Sequence, residues 1–196
     1  MKPILLASNN RGKLVEMQAL LTGFDLLLPR QVGIDLDVLE DGQTYVENAE
    51  KKARAFCAAS GMLTLADDSG LEVDALGGVP GLHSARFSPL PGAKDADRRA
   101  LLLQKLAGFP RPWRAHFHCT VAIAVPGGAL HFTQGDCHGE IIPEERGDNG
   151  FGYDPIFLVA GFDKTMAELS LEQKNTLSHR ARAIHAALPL LNKLTK

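Results

Sequence analysis

Cysteine is scarce in this chain of 196 residues, where only Cys57, Cys119 and Cys137 occur. They are widely separated, odd in number and never arranged as Cys-x-x-Cys, so neither a disulfide framework nor a structural zinc site is indicated. We therefore expect three small, mostly buried side chains in a protein of a reducing compartment.

An excess of charge is also missing, since 21 Lys and Arg residues stand against 23 Asp and Glu residues. The resulting net charge of −2 gives no indication of a basic nucleic-acid-binding surface or a polybasic membrane patch. Long apolar runs are absent too: residues 4–7 are far too few for a signal peptide, and no later run could span a bilayer. We expect a cytoplasmic protein with neither a nucleic acid nor a membrane as its partner.

No internal repeat or low-complexity segment interrupts the chain, and its length suits one domain, or two lobes that share one sheet. An N-terminal alternation of strand, loop and helix is followed by hairpins, which favours an α/β fold with a mixed sheet. The pattern predicts strands at residues 3–7, 24–28, 62–66, 114–125 and 129–137, with a hairpin turn at 126–128. It also predicts a half-buried strand or extended turn at 71–76, and extensions of the sheet at 140–143 and 152–159. It predicts helices at residues 45–60 and 95–106, and a last helix after Ser178.

Two adjacent acids, Asp67 and Asp68, follow the apolar run of residues 62–66 and precede Ser69 and Gly70. At the end of a buried strand, two such carboxylates repel each other and lose water together, which is unfavourable unless a cation or a bound proton resolves it. The alternative is an Asp-Asp-Ser-Gly turn, because each of these residue types favours turns.

The segment Ser8-Asn9-Asn10-Arg11-Gly12-Lys13 lies between the first strand and the first helix. A small polar loop that opens a helix is a phosphate-binding layout, since N–H groups at a helix N-terminus face outward at the positive end of the dipole. Lys13 adds a full charge there, although the Gly-Lys-Ser/Thr ending of a Walker A loop is missing. Simple N-capping by Asn9 or Asn10 explains the segment equally well.

Several other side chains carry predictions. Thr44-x-x-Glu47 is a capping box that opens a helix, on which Glu47 with Lys51 and Asn48 with Lys52 are i,i+4 pairs. His116 and His118 lie on one face of a strand, but no third metal ligand is evident, so we favour packing. His179 and Arg180 occupy the first turn of the last helix, where the dipole opposes positive charge by about 0.3–1 kcal/mol. A misplaced pair of this kind suggests a ligand, and we interpret Arg180 as an exposed cation beside His179.

Five separated segments together resemble one family. They are Ser8-x-Asn10-x-x-Lys13, Thr44-x-x-Glu47-Asn48-Ala49-x-x-Lys52-Ala53, Ala66-Asp67-Asp68-Ser69-Gly70-Leu71, Gly150-Phe151-Gly152-Tyr153-Asp154-Pro155 and Ser178-His179-Arg180. In this order and spacing the chain is similar to the inosine triphosphate pyrophosphatases, which clear non-standard purine nucleoside triphosphates. The resemblance covers nearly the whole chain. One departure is Ala181, where the family pattern usually has glycine after His-Arg.

The resemblance implies two lobes around a long curved mixed β-sheet with a central nucleotide-binding cleft, formed by a single domain over residues 1–196, and a homodimer. It implies hydrolysis to the monophosphate and pyrophosphate with magnesium. Asp68 would be the catalytic base, and Asp68 and Glu40 would serve the metal, with Asp37 and Asp41 as close competitors of Glu40. The substrate-binding residues carried over are Ser8, Asn9, Asn10, Arg11, Gly12, Lys13, Lys52, Ser69, Phe151, Gly152, Tyr153, Asp154, Lys174, His179 and Arg180.

The chemistry of these residue types agrees with such roles. Lysines and a hard cation held by carboxylates offset the charge of a triphosphate, and a carboxylate can orient and deprotonate water. Arg180 and His179 are donors that suit the 6-keto oxygen of inosine or xanthosine but leave an amino group unmatched. Phe151 and Tyr153 offer aromatic surface, although both could equally be core residues. Two alternatives stay open: a pyrophosphatase for modified pyrimidine nucleotides and a non-catalytic nucleotide-binding module.

Overall fold

The computed structural model describes residues 3–195 and shows an α/β protein whose strands form one six-stranded mixed sheet. The sheet order is β2-β1-β3-β4-β5-β6. Strand β1 is parallel to β2 and to β3, whereas β5 is antiparallel to β6, so the predicted mixed sheet is confirmed. The strands are β1 (Pro3–Leu6), β2 (Asp25–Leu27), β3 (Thr64–Val73), β4 (Trp113–Ala124), β5 (Leu130–Ile141) and β6 (Phe157–Val159).

The helices begin and end at residues that suit those positions. They are α1 (Arg11–Leu20), α2 (Tyr45–Ser60), α3 (Asp95–Leu106), α4 (Leu171–Leu177) and α5 (His179–Leu194). The Thr44 side chain accepts from the Glu47 N–H at the start of α2, and Gly61 ends that helix in the left-handed conformation. At the start of α4, Ser170 and Gln173 cap each other reciprocally, as the capping-box pattern predicts.

The chain divides into two compact units. Among the described residues, unit 1 contains 3–69, 119–135 and 180–195, and unit 2 contains 70–118 and 136–179. Each unit has its own buried apolar clusters.

Unit 1 has an apolar cluster on each side of its strands. Side chains alternate in a strand, so Ile4 and Leu65 join one cluster with α1 and α5, while Leu5 and Ala66 join another with α2. On the α2 side, Ala49, Ala53 and Phe56 are buried and form the apolar stripe of the helix, to which Val46 adds only a half-buried side chain. This alternation decides which helix each acid of β3 meets.

Unit 2 is built around one apolar cluster. It contains Leu102 and Leu106 of α3 and the inward residues Trp113, Ala115 and Phe117 of β4. The remaining members come from β3, β5, β6, α4 and their connections, and Tyr153 is one of them. Burial of each large apolar side chain contributes on the order of 1.5–3 kcal/mol.

The structure corrects the predicted position of the two acids. Strand β3 runs without interruption from Thr64 to Val73, so Asp67 and Asp68 lie inside the strand and the alternative of an Asp-Asp-Ser-Gly turn is wrong. Similarly, the predicted extended segment at 71–76 is the end of β3 followed by a 3₁₀ turn, Asp74–Leu76. The strand predicted within 152–159 is confined to β6, after the 3₁₀ turn Asp154–Ile156.

The cysteines and the histidine pair of β4 lie in environments that the structure defines. All three cysteines are buried, as expected, and none forms a disulfide within the described residues. His116 and His118 have carboxylate partners, Glu72 at 3.5 Å and Asp136 at 2.6 Å. Within residues 3–195, no three His, Cys, Asp or Glu side chains are grouped so as to hold a metal ion, and no helix is long and apolar enough to cross a membrane.

Candidate active site

Asp67 lies on the α1 and α5 side of β3 and is surrounded by cations. Its Oδ2 atom is 2.8 Å from Lys13 Nζ and accepts a hydrogen bond from Arg180 Nη2 at 3.4 Å. Only 1% of the residue is exposed. Burial by itself would raise the pKa of this carboxyl, but the charges of Lys13, Arg180 and Lys52 outweigh it and hold the pKa well below its usual range. Asp67 is therefore an ionised, paired carboxylate at neutral pH.

Asp68 lies on the α2 side of the same strand and has a different environment. Its Oδ2 accepts a hydrogen bond from Asn48 Nδ2 at 3.1 Å, and its Oδ1 is 3.7 Å from Lys52 Nζ. Burial raises the pKa of Asp68 above its ordinary value, and the lowering by Lys52 does not cancel this effect. A carboxylate with a raised pKa is a better proton acceptor than its neighbour, which is what a general base requires.

Lys52 connects this carboxylate pair to the acidic loop before α2. Its Nζ donates to the backbone carbonyl of Asp67 at 2.6 Å and to Glu40 Oε1 at 2.5 Å. Burial lowers the pKa of Lys52, but the charges of Asp67, Asp68 and Glu40 raise it above its ordinary value. The lysine is therefore held as a cation beside the three acids.

The predicted side-chain pairs on α2 are wrong in detail. Lys51 pairs with Asp41 at 2.5 Å instead of with Glu47, because Glu47 turns back to accept from the Gln43 N–H at 2.7 Å. Asn48 turns toward Asp68 and does not pair with Lys52. Of the acids that compete for a metal role, Glu40 is thus the one joined to Asp68 through Lys52, whereas Asp41 is engaged with Lys51.

The loop before α1 confirms the interpretation of N-capping, while phosphate binding stays a prediction. Asn10 is the N-cap, since its Oδ1 accepts from the Lys13 N–H at 3.1 Å, and its own N–H donates to Ser8 Oγ at 3.2 Å. Asn9, Asn10 and Arg11 are exposed, and the Lys13 side chain is 15% exposed. The N-cap fixes the loop at a helix N-terminus, and the Lys13 ammonium group reaches Asp67.

The expectation that Arg180 is an exposed cation is wrong, because only 1% of the residue is exposed. Its guanidinium group pairs with Glu16 of α1 and donates to Ser69 Oγ at 3.1 Å. Burial lowers the pKa of Arg180, but Glu16 and Asp67 raise it above its ordinary value. Buried anions thus offset the unfavourable helix dipole at this position.

The predicted nucleoside residues of unit 2 form a second group around Asp154. Asp154 Oδ2 accepts from Lys174 Nζ at 2.8 Å and from the Phe151 N–H at 3.0 Å, and Asp154 and Lys174 are both buried. Gly150 has a φ of +81°, and a Cβ there would lie 2.1 Å from Asp154 Oδ2. Only glycine allows the chain to approach this ion pair so closely.

The neighbouring side chains differ in their exposure. Tyr153 is a core residue, 4% exposed, whose hydroxyl donates to the Ser84 carbonyl at 2.9 Å, so the core interpretation holds for its ring. Phe151 is half-buried, with its ring centroid 5.8 Å from Lys174 Nζ. His179, also in unit 2, is buried and stacks on Phe117 at 4.8 Å between ring centroids.

The carboxylates of unit 1 fit a hard divalent cation. Asp67 Oδ1 is buried without a hydrogen-bond partner among residues 3–195, Asp68 Oδ1 is beyond hydrogen-bonding distance of Lys52, and Glu40 is partly exposed. All are oxygen donors. Mg²⁺ is commonly bound through one or two carboxylates together with water and substrate phosphates, so a cluster of three protein ligands is not needed.

Sequence reasoning gave no site role to three residues that hold this geometry. Glu16 and Asn48 are buried polar residues that contact Arg180 and Asp68. Asp95, at the start of α3, accepts from the Gly152 N–H at 2.8 Å. Only the position of Asn48 in the sequence could have indicated a role. Asn48 is adjacent to the apolar stripe of α2 and lies one turn before Lys52.

Comparison with known proteins agrees with the resemblance. The model of the Ham1 family matches residues 4–190. A dITP/XTP pyrophosphatase of Desulforamulus reducens is 46% identical over 194 residues, covering 97% of this chain and 96% of that relative. A dITP/XTP pyrophosphatase of Bacillus licheniformis is 43% identical, covering 98% of this chain and 100% of that relative. The solved structure of the Staphylococcus aureus Ham1 protein has a TM-score of 0.87 at 40% identity, covering 98% of this chain and 99% of that one. The chain therefore belongs to the Ham1 family.

Proposed function

We propose that the chain hydrolyses non-standard purine nucleoside triphosphates, namely ITP, dITP and XTP, to the monophosphate and pyrophosphate. Relatives that are 43–46% identical over nearly the whole chain carry the name dITP/XTP pyrophosphatase. The observation that carries the proposal is the pair Asp67 and Asp68, whose pKa values are displaced in opposite directions beside Lys13 and Lys52. Such a pair supplies a fixed anion and a base within one site.

In this proposal Asp68 orients and deprotonates the water that attacks the phosphorus atom. Its raised pKa suits the transfer, and its Oδ1 is not within hydrogen-bonding distance of Lys52. Asp67 stays ionised and, through its ion pair, holds the Lys13 ammonium group at the N-terminal end of α1. A positioned base of this kind typically contributes about 10²–10⁴-fold to the rate.

The phosphates would be bound by Ser8, Asn9, Asn10, Arg11, Gly12 and Lys13, with Lys52 and Ser69 as further contacts. Support comes from the N-terminus of α1, where backbone N–H groups and the dipole favour an anion, and from the two lysine charges. The charge of the triphosphate then has local partners in a chain whose net charge is −2.

The metal would be Mg²⁺, held by Asp68 and Glu40, with Asp67 Oδ1, which has no hydrogen-bond partner among residues 3–195, as a further oxygen ligand. All these donors are carboxylate oxygens, which hard cations prefer. When bound, such a cation neutralises phosphate charge and polarises the bond that breaks.

The nucleoside would be bound by Phe151, Gly152, Tyr153, Asp154, Lys174, His179 and Arg180. Lys174, His179 and Arg180 are donors suited to a 6-keto oxygen, and the half-buried ring of Phe151 offers a surface for the base. Tyr153 would take part through its backbone, because its ring is in the core. Selection against adenine follows, since its 6-amino group leaves the donors unmatched.

We further propose a cytoplasmic homodimer in which residues 1–196 form a single pyrophosphatase domain. The support is the resemblance to the family together with three buried cysteines that form no disulfide within the described residues. Light scattering of the purified chain tests the assembly, and a monomeric mass at micromolar concentration would overturn that part.

The reaction itself is tested by identifying the products formed from ITP and Mg²⁺ with phosphorus NMR. We expect IMP and pyrophosphate in equal amounts and complete loss of turnover on exhaustive chelation, restored by added Mg²⁺. Release of IDP and orthophosphate would refute the proposed cleavage. Turnover that survives chelation would refute the metal requirement.

A further inference from the structure

Asn48 is a buried amide that connects the acidic loop before α2 to Asp68. Only 1% of the residue is exposed. Its Oδ1 accepts a hydrogen bond from the Gly42 N–H at 2.8 Å, and its Nδ2 donates to Asp68 Oδ2 at 3.1 Å. One side chain therefore contacts both the loop that carries Glu40 and the acid of β3.

The chemistry of its two partners fixes the orientation of this amide. A backbone N–H group can only donate, so the atom that faces Gly42 must be the oxygen of Asn48. The NH₂ group then faces Asp68, whose ionised carboxylate can only accept. The reversed amide would place donor against donor and acceptor against acceptor, so a single arrangement satisfies both contacts.

Gly42 is required for the close approach of the loop to Asn48. A Cβ at position 42 would lie 2.7 Å from Asn48 Oδ1 and 2.9 Å from Glu47 Cβ. Any side chain would have to displace the amide or the loop, because real Cβ contacts are not this short. The loop is thus held two residues from Glu40, whose carboxylate pairs with Lys52.

We propose that Asn48 is a positioning residue for the hydrolysis of the triphosphate, an inference that rests on the function proposed above. Its NH₂ group occupies Asp68 Oδ2 and leaves Oδ1 as the oxygen available to the attacking water. Its carbonyl oxygen holds the Gly42 backbone, and with it Glu40, in a constant position relative to Asp68. Asn48 itself touches neither the substrate nor the reacting atoms.

The variant Asn48→Asp separates the two contacts of the amide. It keeps an acceptor for the Gly42 N–H and replaces the donor by a second carboxylate oxygen against Asp68. Supporting residues of this kind typically change activity by about 10–100-fold. We expect kcat to fall by that factor while KM changes little. Glu50→Gln is the matched control, because it makes the reverse exchange of carboxylate and amide on the same helix, at the partly exposed pair with Arg54, and it should leave kcat unchanged.

The variant Gly42→Ala tests the other end of the connection with Asn48 intact. It should lower kcat in the same way, and its effect should be smaller in the Asn48→Asp background, since both changes act through one chain of contacts. Thermal unfolding establishes that each variant is folded before its kinetics are compared. If Asn48→Asp does not fold, the kcat of Gly42→Ala provides the test of the positioning role.

The outcomes separate this inference from the function on which it rests. An active wild-type chain with normal kcat in folded Asn48→Asp, or with fully additive effects of the two variants, would overturn the positioning role alone. A loss confined to KM would overturn it as well. A wild-type chain that releases no pyrophosphate from any triphosphate would refute the proposed function and, with it, the role of Asn48.

Discussion

Asp67 and Asp68 are neighbours in β3, but their side chains meet different helices. Because successive side chains of a strand point to opposite faces, Asp67 meets Lys13 of α1 and Arg180 of α5, whereas Asp68 meets α2. The cations hold the pKa of Asp67 low, and burial leaves the pKa of Asp68 raised. The strand thereby gives two chemically identical groups opposite displacements of their pKa, as the proposed roles of Asp67 as a fixed anion and Asp68 as a base require.

The variant Asp68→Asn should stop turnover without unfolding the protein. Loss of a general base costs about 10²–10⁴-fold in kcat. A carboxyl whose pKa is raised in the folded state disfavours folding when it is ionised, so its removal relieves that cost at neutral pH. We expect an unchanged or higher melting temperature, measured without nucleotide. Near-normal turnover, or loss of the folded state, would contradict the catalytic role.

The variant Asp67→Asn should instead destabilise the fold, because it removes the buried carboxylate that pairs with Lys13 and leaves Arg180 with one buried anion fewer. Breaking a buried pair costs about 3–5 kcal/mol in the free energy of unfolding, which urea titration at pH 7 measures.

Because the pKa of Asp67 is lowered in the folded state, this stability is present above the unfolded pKa of about 3.9 and is lost as the pH falls toward the folded value. The variant should therefore lose less stability than the wild type on acidification, and an equal loss in both would show that Asp67 is not the group responsible.

The sequence predicted the elements well because local rules determine them. The bounds of α3 and the cap of α2 follow from periodicity and from Thr44 and Gly61. The error at Asp67 and Asp68 had a different cause: turn-forming residue types were outweighed by charge partners that are distant in sequence, such as Arg180, which is 113 residues away. Likewise, the burial of Arg180 depends on Glu16 of another helix, which no pattern within α5 reveals.

The variant Arg180→Ala tests stability and base selection separately. It leaves buried Glu16 without its cation, so the free energy of unfolding should fall by about 3–5 kcal/mol. If Arg180 also binds the 6-keto oxygen, kcat/KM should fall far more for ITP than for ATP. The ratio of the two kcat/KM values should then change by a factor equivalent to about 1.5–3 kcal/mol. Glu16→Ala is the matched control, which should lower stability but retain selectivity. An equal fall for both nucleotides would leave Arg180 a structural residue only.

The variant Gly150→Ala should disrupt the ion pair of Asp154 and Lys174. The new Cβ would lie 2.1 Å from Asp154 Oδ2 and 2.9 Å from Lys174 Nζ, at a φ of +81°. Gly161 has the same φ of +81° but nothing within 4 Å of an added Cβ, so Gly161→Ala isolates the backbone strain, about 1–2 kcal/mol. We expect Gly150→Ala to lower the melting temperature more and to raise KM for ITP. Equal effects of the two variants would show that the contact with the ion pair does not matter.

The central claim is hydrolysis of non-standard purine triphosphates at the Asp68 site, and initial rates of pyrophosphate release across a panel of triphosphates test it most directly. The panel contains ITP, dITP, XTP, ATP, GTP and modified pyrimidine triphosphates, each assayed with Mg²⁺ for the wild type and for Asp68→Asn. We predict that kcat/KM of the wild type is highest for ITP, dITP and XTP, and that Asp68→Asn loses all three activities together. Preference for a pyrimidine triphosphate, or tight binding of every nucleotide without release of pyrophosphate, would contradict the account.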